Sequence, residues 1–120
     1  MDKLQQSFGY LNVDEEKEEK IVITDPRDRV TQDFLDRFEV TSILAHLTKE
    51  IADSKLKYSQ EIIDILIEEH ADNPEYIVTA YDIANVLLET GDTNLIIKRE
   101  IGDNKFEYLL VDELKYYSTE

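Results

Sequence analysis

The chain is poor in the residues that most often mark chemistry or secretion. Its 120 residues include no cysteine, which excludes disulfides, thiolate chemistry and cysteine-based zinc sites. With three glycines, it has no glycine-rich loop that could cradle a phosphate. No apolar run approaches the roughly 18–20 residues that span a membrane. The N-terminus also lacks the basic-then-apolar pattern of a secretory signal. We therefore expect an intracellular protein.

What the chain has in excess is negative charge. Its 13 lysines and arginines stand against 28 aspartates and glutamates, which gives a formal net charge of −15. Direct binding to duplex DNA or to an anionic membrane is disfavoured, because both attract basic surfaces. A basic protein is the partner that this charge favours. One interpretation, from charge alone, is an acidic adaptor or DNA-mimic protein that binds such a partner.

Candidate catalytic and metal-binding groups are few. His46 and His70 are the only histidines, and they fall on different predicted helices without the HxH or HExxH spacing of a metal site. The adjacent pair Glu68-Glu69 does not share a helix face, so it does not indicate a general acid–base dyad. No serine has the flanking glycines of a hydrolase nucleophile. We expect no catalytic residue, metal or cofactor in this chain.

The first 20 residues are predicted to form an acidic, mobile tail. A charge run over residues 14–20 contains no apolar residue, as is typical of a solvated segment. Apolar residues just before this run could anchor on a neighbouring surface or begin a short element: Phe8, Tyr10, Leu11 and Val13. The folded domain is expected to occupy residues 21–120.

Apolar periodicity predicts three helices in this domain. Asp36 and Glu39 have the spacing of a capping box, and the helix that they begin is expected over 37–54. A second amphipathic helix is expected near 59–71. A third begins at Thr79 and ends at Gly91, because glycine commonly closes a helix.

The remaining segments predict extended structure. Strands over 94–101 and 105–111 flank a Gly102-Asp103-Asn104 turn, which is the pattern of a hairpin. A helical turn is expected over 112–117. Far upstream, the β-branched run over 21–23 is expected to be a short strand or an extended segment. The predicted fold class is α+β, with about three helices packed against one C-terminal antiparallel β-hairpin.

Two blocks of this sequence, in this order, resemble one known family. The first block has a glutamate that opens a helix and is made of Arg29, Thr31, Phe34, Leu35, Phe38 and Glu39. The second block is a basic strand, a turn, a Phe-Glu pair and a Val-Asp-Glu-Leu ending, at 96–99, 102–104, 106–107 and 111–114. Together they resemble the small common subunit shared by the eukaryotic nuclear RNA polymerases, a relative of archaeal subunit K and of bacterial omega.

The chain also departs from that family at defined places. Ala45 and Leu47 stand where the family usually has a glycine and an arginine, and Thr93-Asn94 replaces an isoleucine-proline. The link between the two blocks is longer by roughly a dozen residues, and it holds the extra helix near 59–71. This drift is similar to that of the copies encoded by large DNA viruses, which transcribe in the host cytoplasm and package the enzyme in the virion. A cellular copy would instead be nuclear.

The resemblance implies a role without catalysis. Family members clamp the largest subunit of a DNA-directed RNA polymerase and promote its assembly. They take part in transcription without a small-molecule substrate or a membrane, and meet nucleic acid only through the complex. The residues that it places at the partner interface are Thr31, Phe34, Arg37, Phe38, Glu39, Ser42, Lys98 and Arg99. For Phe38 and Glu39 a purely internal role, as staple and cap of the first helix, is the alternative. For Lys98 and Arg99 the alternative is that they keep an edge strand soluble.

Overall fold

A computed structural model describes residues 10–12 and 21–117 and shows an α+β fold. Its helices are α1 (Arg37–Ala52), α2 (Gln60–Glu69) and α3 (Ala80–Thr90), and its strands are β1 (Tyr10–Asn12), β2 (Leu95–Gly102) and β3 (Lys105–Leu110). Three helices followed by an antiparallel hairpin confirm the predicted fold class. The tail predicted over 1–20 lies outside the described residues, except for β1.

Helix α1 begins where the capping box predicts. The Glu39 backbone N–H donates to Asp36 Oδ1 at 2.7 Å, and the Asp36 N–H donates to Glu39 Oε1 at 3.0 Å. These bonds satisfy backbone donors that the first turn leaves without helical partners. The helix ends at Ala52, two residues before the predicted end. Ser54 has a left-handed φ of 60°, which a continuing right-handed helix cannot contain.

The other two helices also begin at side-chain caps. Ser59 caps α2, and Thr79 forms a second capping box with Asp82 at the start of α3. Helix α2 ends at Glu69, again before the predicted end, because His70 leaves helical geometry at φ −112° and ψ 28°. Gly91 closes α3 with φ 70°, the left-handed conformation that glycine adopts at little cost.

The sheet has three antiparallel strands in the order β1-β2-β3. Strand β1 is a short element among the apolar residues before the acidic run, one of the two possibilities that the sequence offers for them. Of the two possibilities for residues 21–23, a short strand or an extended segment, the strand is not formed. The chain instead makes contact with the outer edge of β3 at Thr24, whose N–H donates to the Tyr108 carbonyl at 2.9 Å. The Tyr108 N–H donates in turn to the Thr24 hydroxyl at 3.0 Å, and a single backbone–backbone bond is too little to make a ladder.

The last described residues fold back on the segment before α1. A 3-10 turn at Val111–Glu113 replaces the helical turn predicted over 112–117. The chain then runs parallel to Phe34, with the Leu35 N–H donating to the Lys115 carbonyl at 2.9 Å. Pairing with a strand-like neighbour keeps the segment after Leu114 extended.

The core lies between α1, α3 and the sheet. Its most buried large side chains are Ile43 and Leu47 on α1, Leu95 and Ile97 on β2, and Leu109 on β3. Helix α2 adds Ile62 and Leu66 to the edge of this core. No helix in the described part of the chain is long and apolar enough to cross a membrane.

Candidate functional site

One buried arginine joins the two sequence blocks. The Arg99 side chain on β2 donates to both carboxylate oxygens of Glu39, from Nε at 2.8 Å and from Nη2 at 2.9 Å. It also donates to Thr31 Oγ1 at 2.8 Å and to the carbonyls of Gln32 at 2.7 Å and Phe34 at 2.9 Å. These five bonds equal the five N–H donors of a guanidinium. Arg99 is 6% exposed, so its charge is satisfied inside the protein.

Glu39 serves the helix and the arginine at once. It is 4% exposed, and its Oε1 accepts both from the Asp36 N–H and from Arg99. A carboxylate in the first turn of a helix is favoured by the helix dipole, and a bidentate guanidinium pair adds directionality. The capping box that starts α1 is therefore also the anchor point of β2.

Glu107 on β3 completes the same cluster from the neighbouring strand. It is 1% exposed and lies opposite Arg99 in the β2–β3 register. It accepts a bond from Thr31 Oγ1 at 2.5 Å and another from the Val30 N–H. Burial alone would raise the pKa of Glu107, but these hydrogen bonds, helped by the Arg99 charge, hold it below its usual value. Thr31 thus bridges Arg99 and Glu107.

The ending of the second block ties down two further segments. Asp112 accepts bonds from the Thr93 N–H at 2.9 Å, from the Thr93 hydroxyl at 2.7 Å and from the Asn94 N–H at 3.1 Å. These bonds fix the loop between α3 and β2. Next to it, Glu113 accepts a bond from Arg29 Nη2 at 2.6 Å, which links the second block to the start of the first.

The structure divides the predicted interface residues into two groups. Thr31, Glu39 and Arg99 are bonded to one another inside the protein. The others lie nearer the surface: Phe34 is 39% exposed, Phe38 is 66% exposed, Arg37 is exposed, and Ser42 and Lys98 are half-buried.

Two of the surface residues have aromatic neighbours. The Phe34 ring lies 6.0 Å from the Tyr117 ring, and the Lys98 ammonium lies 4.3 Å from the centre of the Phe106 ring. Phe34, Arg37 and Phe38 surround the first turn of α1. They form an exposed aromatic and cationic surface next to the buried cluster, because the Phe34 carbonyl accepts a bond from Arg99 and Glu39 lies in the same first turn.

The two histidines lie apart. His46 is half-buried on α1, whereas His70 follows α2 and stacks on the Tyr76 ring, with centroids 3.7 Å apart and planes 6° from parallel. The Tyr76 hydroxyl donates to Asp82 Oδ2 at 2.7 Å. Burial and this carboxylate raise the pKa of Tyr76 to about 12. Within residues 10–12 and 21–117, no group of three or more potential metal ligands comes together.

Sequence reasoning did not identify Glu107 and Asp112 as site residues. A signal for Glu107 was present, because side chains two apart on a strand share a face. Glu107 is two residues from Leu109, and Arg99 is two residues from Ile97, so both charges lie on the face that packs on the core. Two opposite charges on that face predict a buried pair. Asp112 carries no comparable signal, since its partners are mainly backbone amides.

The cluster links two segments that are far apart in the sequence, and its charged groups already have hydrogen-bond partners within the protein. Neither a protein-family model nor a curated protein sequence matches this chain.

Proposed function

We propose that this chain is a non-catalytic subunit of a multisubunit DNA-directed RNA polymerase, where it promotes assembly and stability by clamping the largest subunit. The observation that carries the proposal is the contact between the two blocks that resemble the family. Thr31 and Glu39 come from the first block, and Arg99 and Glu107 come from the second. The resemblance thus falls on residues that depend on one another in the fold.

The sequence separations make this contact informative. Arg99 lies 60 residues from Glu39 and 68 residues from Thr31, and Glu107 lies 76 residues from Thr31. Short motifs that arise by chance have no reason to meet across such separations. Residues that fit one another through a shared buried charge have such a reason, because each partner left alone would be costly to bury.

The exposed surface formed by Phe34, Arg37 and Phe38 is the part that we assign to the partner. Arg37 and Phe38 lie on the first turn of α1, Phe34 lies just before it, and all three are exposed. Aromatic and arginine side chains are the types that most often supply binding energy at protein interfaces. In this proposal, Thr31, Glu39 and Arg99 position the contact surface from beneath and do not touch the partner.

The test is a mild affinity purification of the tagged full chain from its native source, read by mass spectrometry. Recovery of two very large polymerase subunits in near-equal amounts supports the proposal. The double variant Arg37→Glu/Phe38→Ala should lower that recovery by about tenfold or more, since removal of an interface anchor commonly costs 2 kcal/mol or more.

The matched control is Lys57→Glu/Tyr58→Ala, which changes another exposed basic–aromatic pair in the loop before α2. Its recovery of polymerase subunits should stay near that of the unmodified chain. Equal recovery with both double variants would reject the assigned surface. Failure of the unmodified chain to recover any large polymerase subunit would reject the polymerase role itself.

The second candidate, an acidic adaptor or DNA mimic, rests on the net charge of −15. It predicts recovery of a small basic DNA-binding protein without polymerase subunits. Competition with duplex DNA for that protein should then be lost at moderate salt, because salt screens exposed charges. Competition that persists at high salt would exclude this reading.

A further inference from the structure

Helix α2 carries an exposed face that the rest of the described chain does not cover. Ile62 and Leu66 point into the core, while Ile65 and Ile67 are 42% and 54% exposed. Burial of an isoleucine side chain is favourable relative to leaving it in water. Neither sequence block includes this helix, so the polymerase proposal gives it no role.

The solvent side of α2 is an acidic stripe. Glu61, Asp64 and Glu68 follow the i, i+3, i+7 spacing that places side chains along one line of a helix. Ile65 lies one turn after Glu61 on one edge of this stripe, and Ile67 lies three residues after Asp64 on the other edge. The exposed face is therefore a row of carboxylates between two isoleucines.

These charges are not neutralised inside the described chain. Residues 60–75 hold six aspartates and glutamates and no lysine or arginine. Among residues 10–12 and 21–117, none of the ion pairs includes a carboxylate of α2. Asp64 Oδ1 accepts a weak hydrogen bond from the uncharged Gln60 side chain, from Nε2 at 3.4 Å.

The arrangement works against the stability of the helix. Asp64 and Glu68 are like charges at i and i+4, which repel. Glu68 and Glu69 lie in the last turn, where the helix dipole favours cations. A cation placed along the stripe from outside would relieve both effects, and two exposed isoleucines beside it would gain cover.

We propose that this face of α2 is a docking surface for a basic amphipathic segment of a partner protein. Lysines or arginines of the partner would lie along Glu61, Asp64 and Glu68, and its apolar side chains would cover Ile65 and Ile67. A second copy of this chain does not fit, because pairing two such faces would bring carboxylates against carboxylates. The proposal is independent of the polymerase role and stands or falls separately.

The test uses the full chain and a defined probe. The probe is a synthetic amphipathic helix of leucine and lysine, about four helical turns long, and its counterpart has glutamate in place of every lysine. Each peptide is titrated into labelled protein and followed by two-dimensional amide NMR. We expect saturable shifts for the lysine peptide, centred on residues 60–69, and none for the glutamate peptide.

Two charge-reversal variants separate a built surface from general attraction by an acidic protein. Asp64→Lys/Glu68→Lys changes the stripe, and Glu100→Lys/Asp103→Lys makes the same change in net charge on the exposed end of the hairpin. The first should raise the Kd of the lysine peptide by about tenfold or more, and the second by a much smaller factor. Ile67→Ser should also raise the Kd while leaving the net charge unchanged.

Three results would overturn the proposal. The first is an equal rise in Kd for the two charge-reversal variants, which would mean that net charge alone attracts the peptide. The second is an unchanged Kd for Ile67→Ser, which would mean that Ile67 makes no contact with the peptide. The third is shifts spread over the whole chain without saturation. Circular dichroism of each variant checks that the helices are retained.

Discussion

Two junctions of this molecule are held by hydrogen-bonded charged groups, one buried and the other half-buried. The Arg99 cluster is excluded from water and joins β2 and β3 to the segment before α1. The Tyr76–Asp82 contact is half-buried and joins the loop after α2 to the first turn of α3, between residues only six positions apart. The cost of losing a partner rises with the exclusion of water, because an orphaned buried group cannot be resolvated. Loss of a partner should therefore have unequal effects at the two junctions.

The largest effect is expected from Arg99→Met. The substitution keeps an apolar side chain of similar length but leaves Glu39 charged, buried and without its bidentate partner. Breaking a buried pair from one side costs about 3–5 kcal/mol of the free energy of unfolding. Urea denaturation at pH 7, followed by circular dichroism, measures this loss.

The companion variant is Arg99→Met/Glu39→Gln. The amide can still accept the Asp36 N–H bond that caps α1, but it carries no charge to be stranded. We expect it to recover part of the loss, since removing both charges is less costly than removing one. If Arg99→Met alone cost below about 1 kcal/mol, as an exposed ion pair does, the buried cluster would not dominate this junction.

A smaller loss is expected from Glu107→Gln. The amide keeps one acceptor oxygen where the carboxylate offers Val30 and Thr31 one each, and it removes the charge that faces Arg99, at a cost of about 1–3 kcal/mol near pH 7. The pKa of Glu107 is lowered in the folded protein. Its stabilisation is therefore present above its unfolded pKa of about 4.5 and is lost as the pH falls through the folded value.

Urea midpoints measured from pH 7 down to pH 3 test the role of this charge. The difference between the unmodified chain and Glu107→Gln should be largest near neutrality and should narrow below pH 4.5, where the carboxylate takes up its proton. A difference that is the same at every pH would show that the amide disturbs packing rather than charge.

Separation along the sequence explains which features of the fold could be predicted from it. The Asp36–Glu39 capping box, the start of α3 after Thr79, its close at Gly91 and the hairpin turn depend on residues within a few positions of one another, and the structure confirms them. The pairing of β1 with β2 and the Asp112 contacts join residues that are far apart in the sequence. Local propensity does not contain such information.

Arg99 shows how a local pattern can be interpreted in two ways. A basic pair in a strand fits both a solvated edge and a partner contact, and neither interpretation uses the strand register. In the fold, Arg99 lies in the central strand and faces Glu39, and it is Lys98 that lies half-buried against Phe106. The interface predicted from the resemblance remains a prediction for the surface residues around α1.

The smallest effect is expected from Tyr76→Phe. The variant removes one hydroxyl that donates to Asp82, at a cost of about 0.5–1.5 kcal/mol near pH 7, and keeps the ring that stacks on His70. Because the folded pKa of Tyr76 is raised to about 12, this stabilisation is complete below the unfolded pKa of 10.0 and is lost as the pH rises from there toward 12.

Tyr81→Phe, which removes a hydroxyl from a more exposed ring, is the matched control and should change the urea midpoint little. If Tyr76→Phe cost as much as Arg99→Met, exclusion of water would not be what separates the two junctions, and the rigidity of the α2–α3 connection would have to be the cause.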